Sequence, residues 1–125
     1  VLNSGVSPER CIHTHPIKKQ EEIDTAFAKG VRTFVCDNLW ELDKFTKYGK
    51  SVKLLLRLSF SNSYSRCDLS AKFGLLPEQA SALLEFSRKL NLDFRGLSFH
   101  AGSQMSTPSV MFSTGDFRYW RRFSS

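Results

Sequence analysis

The stretch Gly96-Leu97-Ser98-Phe99-His100-Ala101-Gly102-Ser103-Gln104 changes abruptly from apolar to polar, the pattern of a buried strand that ends in a ligand loop. Leu97 and Phe99 alternate with Ser98 and His100, and Ala101-Gly102-Ser103 frees the backbone to turn closely around something small. In α/β architectures ligands sit at the carboxyl ends of strands, so an imidazole followed by small residues stands where a cofactor would be held. A lone histidine at a strand end is more often a satisfied structural residue than a ligand-binding one, and spacing alone does not decide for the ligand. His13-Thr14-His15 places two imidazoles on one face of a strand, which suits a divalent cation if His100 and Asp37 complete the set. Arg57 interrupts an apolar run, either as a snorkelling or ion-paired structural side chain or as a contact to an anion or cofactor. Lys72 lacks the apolar surroundings that would lower an amine's pKa, so a salt bridge suits it better than nucleophilic chemistry. Asn3-Ser4-Gly5 and Gly102-Ser103 are too sparse for a phosphate-binding glycine loop.

An alternation of strands and helices would position these groups. Turn residues from Asn3 to Glu9 deliver a strand near 10 to 15 that Pro16 stops. Ile23, Ala26 and Phe27 mark one face of a helix ended by Gly30, and Val31 to Cys36 reads as a second strand. Asn38 and Glu41 have the spacing of a capping box, with Leu39, Leu42 and Phe45 as the buried stripe and Gly49 as terminator. A third strand runs from 52 to 60, apolar enough at Leu54-Leu55-Leu56 to be covered on both faces. Residues 61 to 76 predict a long loop, Pro77 opens a helix bearing Ala80, Leu83, Leu84 and Leu90, and Asn91 stops it before a fourth strand near 94 to 100. Four strands alternating with three helices imply a parallel α/β sheet. From Met105 to Ser125 neither period holds, which leaves a divergent tail.

A chain of 125 residues supports one domain with a modest core. Its net charge of +6 is scattered, apart from Arg118, Arg121 and Arg122, and no basic stripe interleaved with aromatics points to nucleic acid. No apolar run approaches the length of a membrane span. Cys11, Cys36 and Cys67 are odd in number without CxxC spacing, which fits reduced core thiols of a cytoplasmic protein and not a zinc site. The first residue is valine, as expected of a piece of a longer protein.

Five segments occur in a telling order: His15-Pro16-Ile17-Lys18-Lys19, Gly30-Val31 through Asp37-Asn38-Leu39-Trp40-Glu41-Leu42, Leu56-Arg57-Leu58, Ser70-Ala71-Lys72-Phe73-Gly74, and Ser98-Phe99-His100-Ala101-Gly102-Ser103-Gln104. Over roughly residues 6 to 104 they resemble the barrel domain of the fold-type III, pyridoxal-phosphate-dependent decarboxylases of ornithine, lysine, arginine and diaminopimelate. The likeness is closest to the ornithine branch of these carboxy-lyases, which serves polyamine biosynthesis. The resemblance implies a partial (β/α)8 TIM-type barrel over residues 1–104, a tail over 105–125, and pyridoxal 5′-phosphate as cofactor. It implies that His100 stacks on the cofactor ring, that Ser103 hydrogen-bonds its phosphate and that Arg57 approaches it within the barrel. Lys72 would form a salt bridge across a homodimer interface. Ala101 stands where the motif commonly has valine.

No lysine of this chain matches the family's Schiff-base position, so the chain alone is expected not to decarboxylate its basic amino-acid substrate. Two alternatives stand beside this reading: a non-catalytic homologue kept as an interaction partner, and a metal-dependent barrel hydrolase using His13 and His15. The barrel reading also carries a geometric expectation. The strand ends at His15, Asp37, Phe60 and His100 should share one rim, with Arg57 facing inward on the side of Leu55 and away from Leu58.

Overall fold

The computed structural model describes residues 2–59, 65–67, 73–100 and 103–105. The elements in order are β1 (Ile12–His13), α1 (Gln20–Ala28), β2 (Thr33–Cys36), α2 (Leu39–Asp43), a 3-10 turn (Thr46–Ser51), β3 (Lys53–Leu58), β4 (Ser65–Cys67), α3 (Pro77–Lys89), β5 (Asp93–Phe99) and β6 (Ser103–Met105). Strands β1, β2, β3 and β5 form one sheet in that order, and every neighbouring pair is parallel. This is the expected partial barrel.

Both longer helices end in the same device. Gly30 (φ 93°) donates to Phe27 O and Val31 to Ala26 O, each at 3.0 Å, while Asn91 (φ 55°) and Leu92 make the equivalent bonds to Arg88 and Ser87. These Schellman closures satisfy the last carbonyls and drop Val31 and Leu92, both buried, straight into the core ahead of the next strand. Helix α3 opens with Pro77 at its first turn, and Gln79 Oε1 accepts the Leu76 N–H at 3.1 Å.

Along β3, Leu54, Leu56 and Leu58 are buried with Phe34 and Cys36 of β2 and with Leu42, Phe45, Ala80, Leu83 and Leu84 from the helical side. Register pairs Val35 with Leu55, Leu55 with Gly96, and Arg57 with Ser98, so these residues line the opposite, barrel-inner face. A register shift between Leu54 and Leu55 lets Phe94 and Leu97, three residues apart, both pack on the helical core.

Five expectations change: Leu39, expected in the buried stripe with Leu42 and Phe45, is instead exposed. β1, β2 and β3 are narrower than the apolar runs, whereas β5 keeps the expected length one residue earlier. β1 keeps only two residues, because a 3-10 turn at Pro8–Arg10 precedes it and, among the described residues, the ladder to β2 ends at His13. Helix α2 stops at Asp43 instead of running to Gly49. The Thr46 hydroxyl closes on Asp43 O at 2.7 Å and the chain turns to bury Phe45, leaving Gly49 (φ 52°) inside the 3-10 turn. The capping box is only half made. Asn38 accepts the Glu41 N–H at 2.9 Å, but the Glu41 carboxylate turns inward to Lys18. Finally, the loop expected over 61 to 76 contains β4, which pairs antiparallel with β6, Ser65 opposite Met105 and Cys67 opposite Ser103. Two short polar segments far apart in sequence carry no local pattern that announces such a ladder. Lys72, Phe60 and the tail from residue 106 lie outside the described residues.

Candidate functional site

His15, Asp37 and His100 each follow the carboxyl end of a parallel strand and therefore share one rim of the sheet. Arg57 lies one turn of the pleat below that rim, on the inner face as expected, in register with Ser98. His100 comes two residues after Ser98, so continued alternation would place it on the Arg57 side, about 7 Å further along. Gly96 and Ser98, in register with Leu55 and Arg57, present little bulk on this face. His100 is exposed, and Ser103 opens β6. The carboxylates that a structural Arg57 would seek are committed elsewhere, Glu41 to Lys18 and Lys44 and Glu85 to Lys89.

The rim is tied together by Phe73, Gly74 and Leu75, the end of the segment expected as a loop. Leu58 forms a parallel bridge with Leu75, with Leu75 N–H to Arg57 O at 2.9 Å and Ser59 N–H to Leu75 O at 2.8 Å. Asp37 is buried and accepts the Gly74 N–H at 2.9 Å and the Asn38 amide at 2.8 Å. The ring of Phe73 stands 5.5 Å from the Arg57 guanidinium carbon and 5.4 Å, edge-on, from the His15 ring.

Below the rim, Lys18 is fully buried. Its ammonium donates to the carbonyls of Val35 (2.6 Å), His15 (3.0 Å) and Pro16 (3.0 Å), with Glu41 Oε2 at 3.2 Å. Three carbonyls take all three protons, so that carboxylate oxygen is held by charge alone. Glu41 Oε1 accepts the Lys18 N–H at 3.2 Å and an ammonium proton of Lys44. Nothing in the local pattern marked Lys18 as buried. Its place just after His15-Pro16, where β1 ends and carbonyls lose their ladder partners, is the signal that could have.

The two imidazoles of the metal reading separate. His13 stacks on Phe34 at 6.0 Å with Nδ1 buried, whereas His15 follows the strand and meets Phe73, with Nδ1 2.6 Å from Ile17 O. Among the described residues no group of three metal-ligating side chains exists. Cavities of about 350 and 500 Å³ share Leu2, His13 and Val31 beside α1, and neither is lined by Arg57 or His100. Cys36 is buried, and burial pushes its thiol up to about 12, so it stays protonated and inert.

Burial first, and then the charge of Lys18, hold the His13 pKa below 6.5. Between that lowered value and 6.5 the unfolded chain binds a proton that the folded chain does not, so stability should rise with pH across this window. His13→Gln should flatten that part of the curve. Urea midpoints of parent and variant at pH 7 and pH 5 check it, and equal shifts in both would refute it.

Over residues 1–114 the chain matches the family model described as pyridoxal-dependent decarboxylase, pyridoxal binding domain. It is 38% identical over 110 residues to an ornithine decarboxylase of Schizosaccharomyces pombe, covering 88% of this chain and 26% of that protein. Antizyme inhibitor 2 of Xenopus laevis is 37% identical over 103 residues, covering 82% of this chain and 23% of that one. The crystal structure of lysine/ornithine decarboxylase from Vibrio vulnificus, complexed with putrescine, superposes with a TM-score of 0.82 at 41% identity, covering 98% of this chain and 31% of that chain. The chain thus spans about a quarter of the length of the curated relatives it matches. No helix among the described residues is long and apolar enough to cross a membrane.

Proposed function

Because the chain belongs to the pyridoxal-dependent decarboxylases through their pyridoxal binding domain, we propose that it is the cofactor-bearing barrel segment of an ornithine-type amino-acid decarboxylase of polyamine biosynthesis. The observation that carries this reading is Arg57, a cation set on the inner face in register with Ser98 and just below the rim that His100 joins. An anionic, flat ligand fits that face: the guanidinium supplies charge, the small Gly96 and Ser98 present little bulk, and the described carboxylates expected to compete for Arg57 are engaged elsewhere. On this reading His100 stacks on the pyridine ring, Ser103 hydrogen-bonds the phosphate, and Arg57 orients the cofactor from within the barrel. Bound pyridoxal phosphate supplies a sink for the electron pair left when a substrate carboxylate departs as CO₂. The domain extends over residues 1–104, with 105–125 as a divergent tail. The working molecule is a cytoplasmic homodimer with Lys72 at the interface, and the free thiols of Cys11 and Cys36 agree with a reducing compartment.

Equilibrium dialysis of the chain against pyridoxal 5′-phosphate tests the cofactor site. Saturable binding is expected, weakened at least about tenfold by Arg57→Met, since a charge-assisted contact is worth roughly 1.5–3 kcal/mol. Affinity unchanged in both Arg57→Met and His100→Ala would sink the site. A second reading, a homologue kept for interaction, is supported by the similarity to a relative named for inhibiting antizyme and not for decarboxylation. It differs in outcome, because a retained interaction surface requires no cofactor binding.

A further inference from the structure

Three anchors fix the backbone around Phe73. The Leu75 N–H bonds Arg57 O and the Ser59 N–H bonds Leu75 O, which lays residues 74–75 along the end of β3. The Gly74 N–H reaches across to Asp37 at the end of β2, and Asp37 is itself steadied by Asn38. Gly74 holds φ 101°, and a Cβ there would lie 2.8 Å from Leu58 C and Ser59 N, so the chain approaches β3 as closely as only glycine permits. The consequence falls on the residue before it: the Phe73 ring is carried to the rim between Arg57 and His15. At 5.5 Å the guanidinium lies within range of a cation–π attraction, and Arg57 shows no carboxylate partner among the described residues.

We infer that Phe73, carried by the Asp37–Gly74 hydrogen bond, is a positioning residue that sets the Arg57 guanidinium on the barrel-inner face. The geometry stands alone, and its consequence for cofactor affinity rests on the reading proposed above. A long flexible side chain on an open face would otherwise sample many rotamers. A ring held beside it selects among them and leaves the cation presented to an anion.

The test uses the full chain and two readouts. The first is the Nε–H resonance of Arg57, assigned by its loss in Arg57→Lys. It should be ring-shifted in the parent, keep its position in Phe73→Tyr, and move to the ordinary arginine range in Phe73→Leu, which retains apolar bulk without a π face. The second is pyridoxal 5′-phosphate affinity. Phe73→Leu should lower it about two- to fivefold in the parent, the scale of a cation–π contact, and leave it unchanged in an Arg57→Met background. Asp37→Asn, which keeps the side-chain shape, should shift the resonance in the same direction and serves if Phe73→Leu does not fold. An unmoved resonance in Phe73→Leu, or an equal affinity loss with and without Arg57, overturns the inference. If the parent binds no cofactor, the functional reading fails while the resonance still decides whether Phe73 places Arg57.

Discussion

Lys18→Met is expected to cost about 3–5 kcal/mol, enough to unfold a large part of the population in a domain of ordinary stability. The wild-type ammonium is enclosed, with three carbonyl acceptors within 3.0 Å and Glu41 at 3.2 Å. Methionine fills the volume but removes every donor, so three carbonyls at the ends of β1 and β2 lose their partner, and Glu41 keeps only Lys44 and the Lys18 amide. The asymmetry of buried pairs gives a second arm. Lys18→Met with Glu41→Leu removes the stranded carboxylate and should recover part of the loss, leaving the cost of the carbonyls. Urea denaturation of the three proteins decides. A single variant within about 1 kcal/mol of the parent, or a double variant worse than the single, would show that the pair does not hold the rim.

Much of this architecture is legible in the amino-acid sequence. The apolar runs at Val31 to Cys36 and Leu54 to Leu58 are buried because helices cover them, and Gly30, Pro77 and Asn91 act as expected because their backbone preferences are local. The inward side of Arg57 was legible too, since a pleat of period two puts it opposite Leu56 and Leu58 whatever else happens. What escaped is what depends on distant partners. β4 and β6 pair across nearly forty residues with no apolar alternation in either. Lys18 reads as a surface lysine until β2 supplies Val35 O and α2 supplies Glu41. Phe73 reads as one more aromatic until Asp37, held in place by β2, catches the amide after it. For His100, Ser103 and Arg57 the roles came from resemblance, and spacing alone left a structural histidine and a structural arginine as live alternatives.

Gly74→Ala should destabilise the chain by about 2–5 kcal/mol and detach Phe73 from Arg57 in whatever remains folded. Two costs combine. A non-glycine residue at φ 101° carries backbone strain of about 1–3 kcal/mol, and the added methyl would sit 2.8 Å from Leu58 C and Ser59 N, main-chain atoms of the sheet's third strand and its exit. Backbone cannot swing aside as a flexible side chain can, so relief requires residues 74–75 to lift and break their bonds to Arg57, Ser59 and Asp37. Gly5→Ala supplies the control: Gly5 is also left-handed, at φ 78°, but a Cβ there meets nothing within 4 Å, so it carries strain without collision. The difference between the two variants in thermal or urea denaturation isolates the collision, and the Arg57 Nε–H resonance reports the detachment. Gly74→Ala matching Gly5→Ala in stability, with that resonance unmoved, would mean that the close approach at the end of β3 does not hold the rim together.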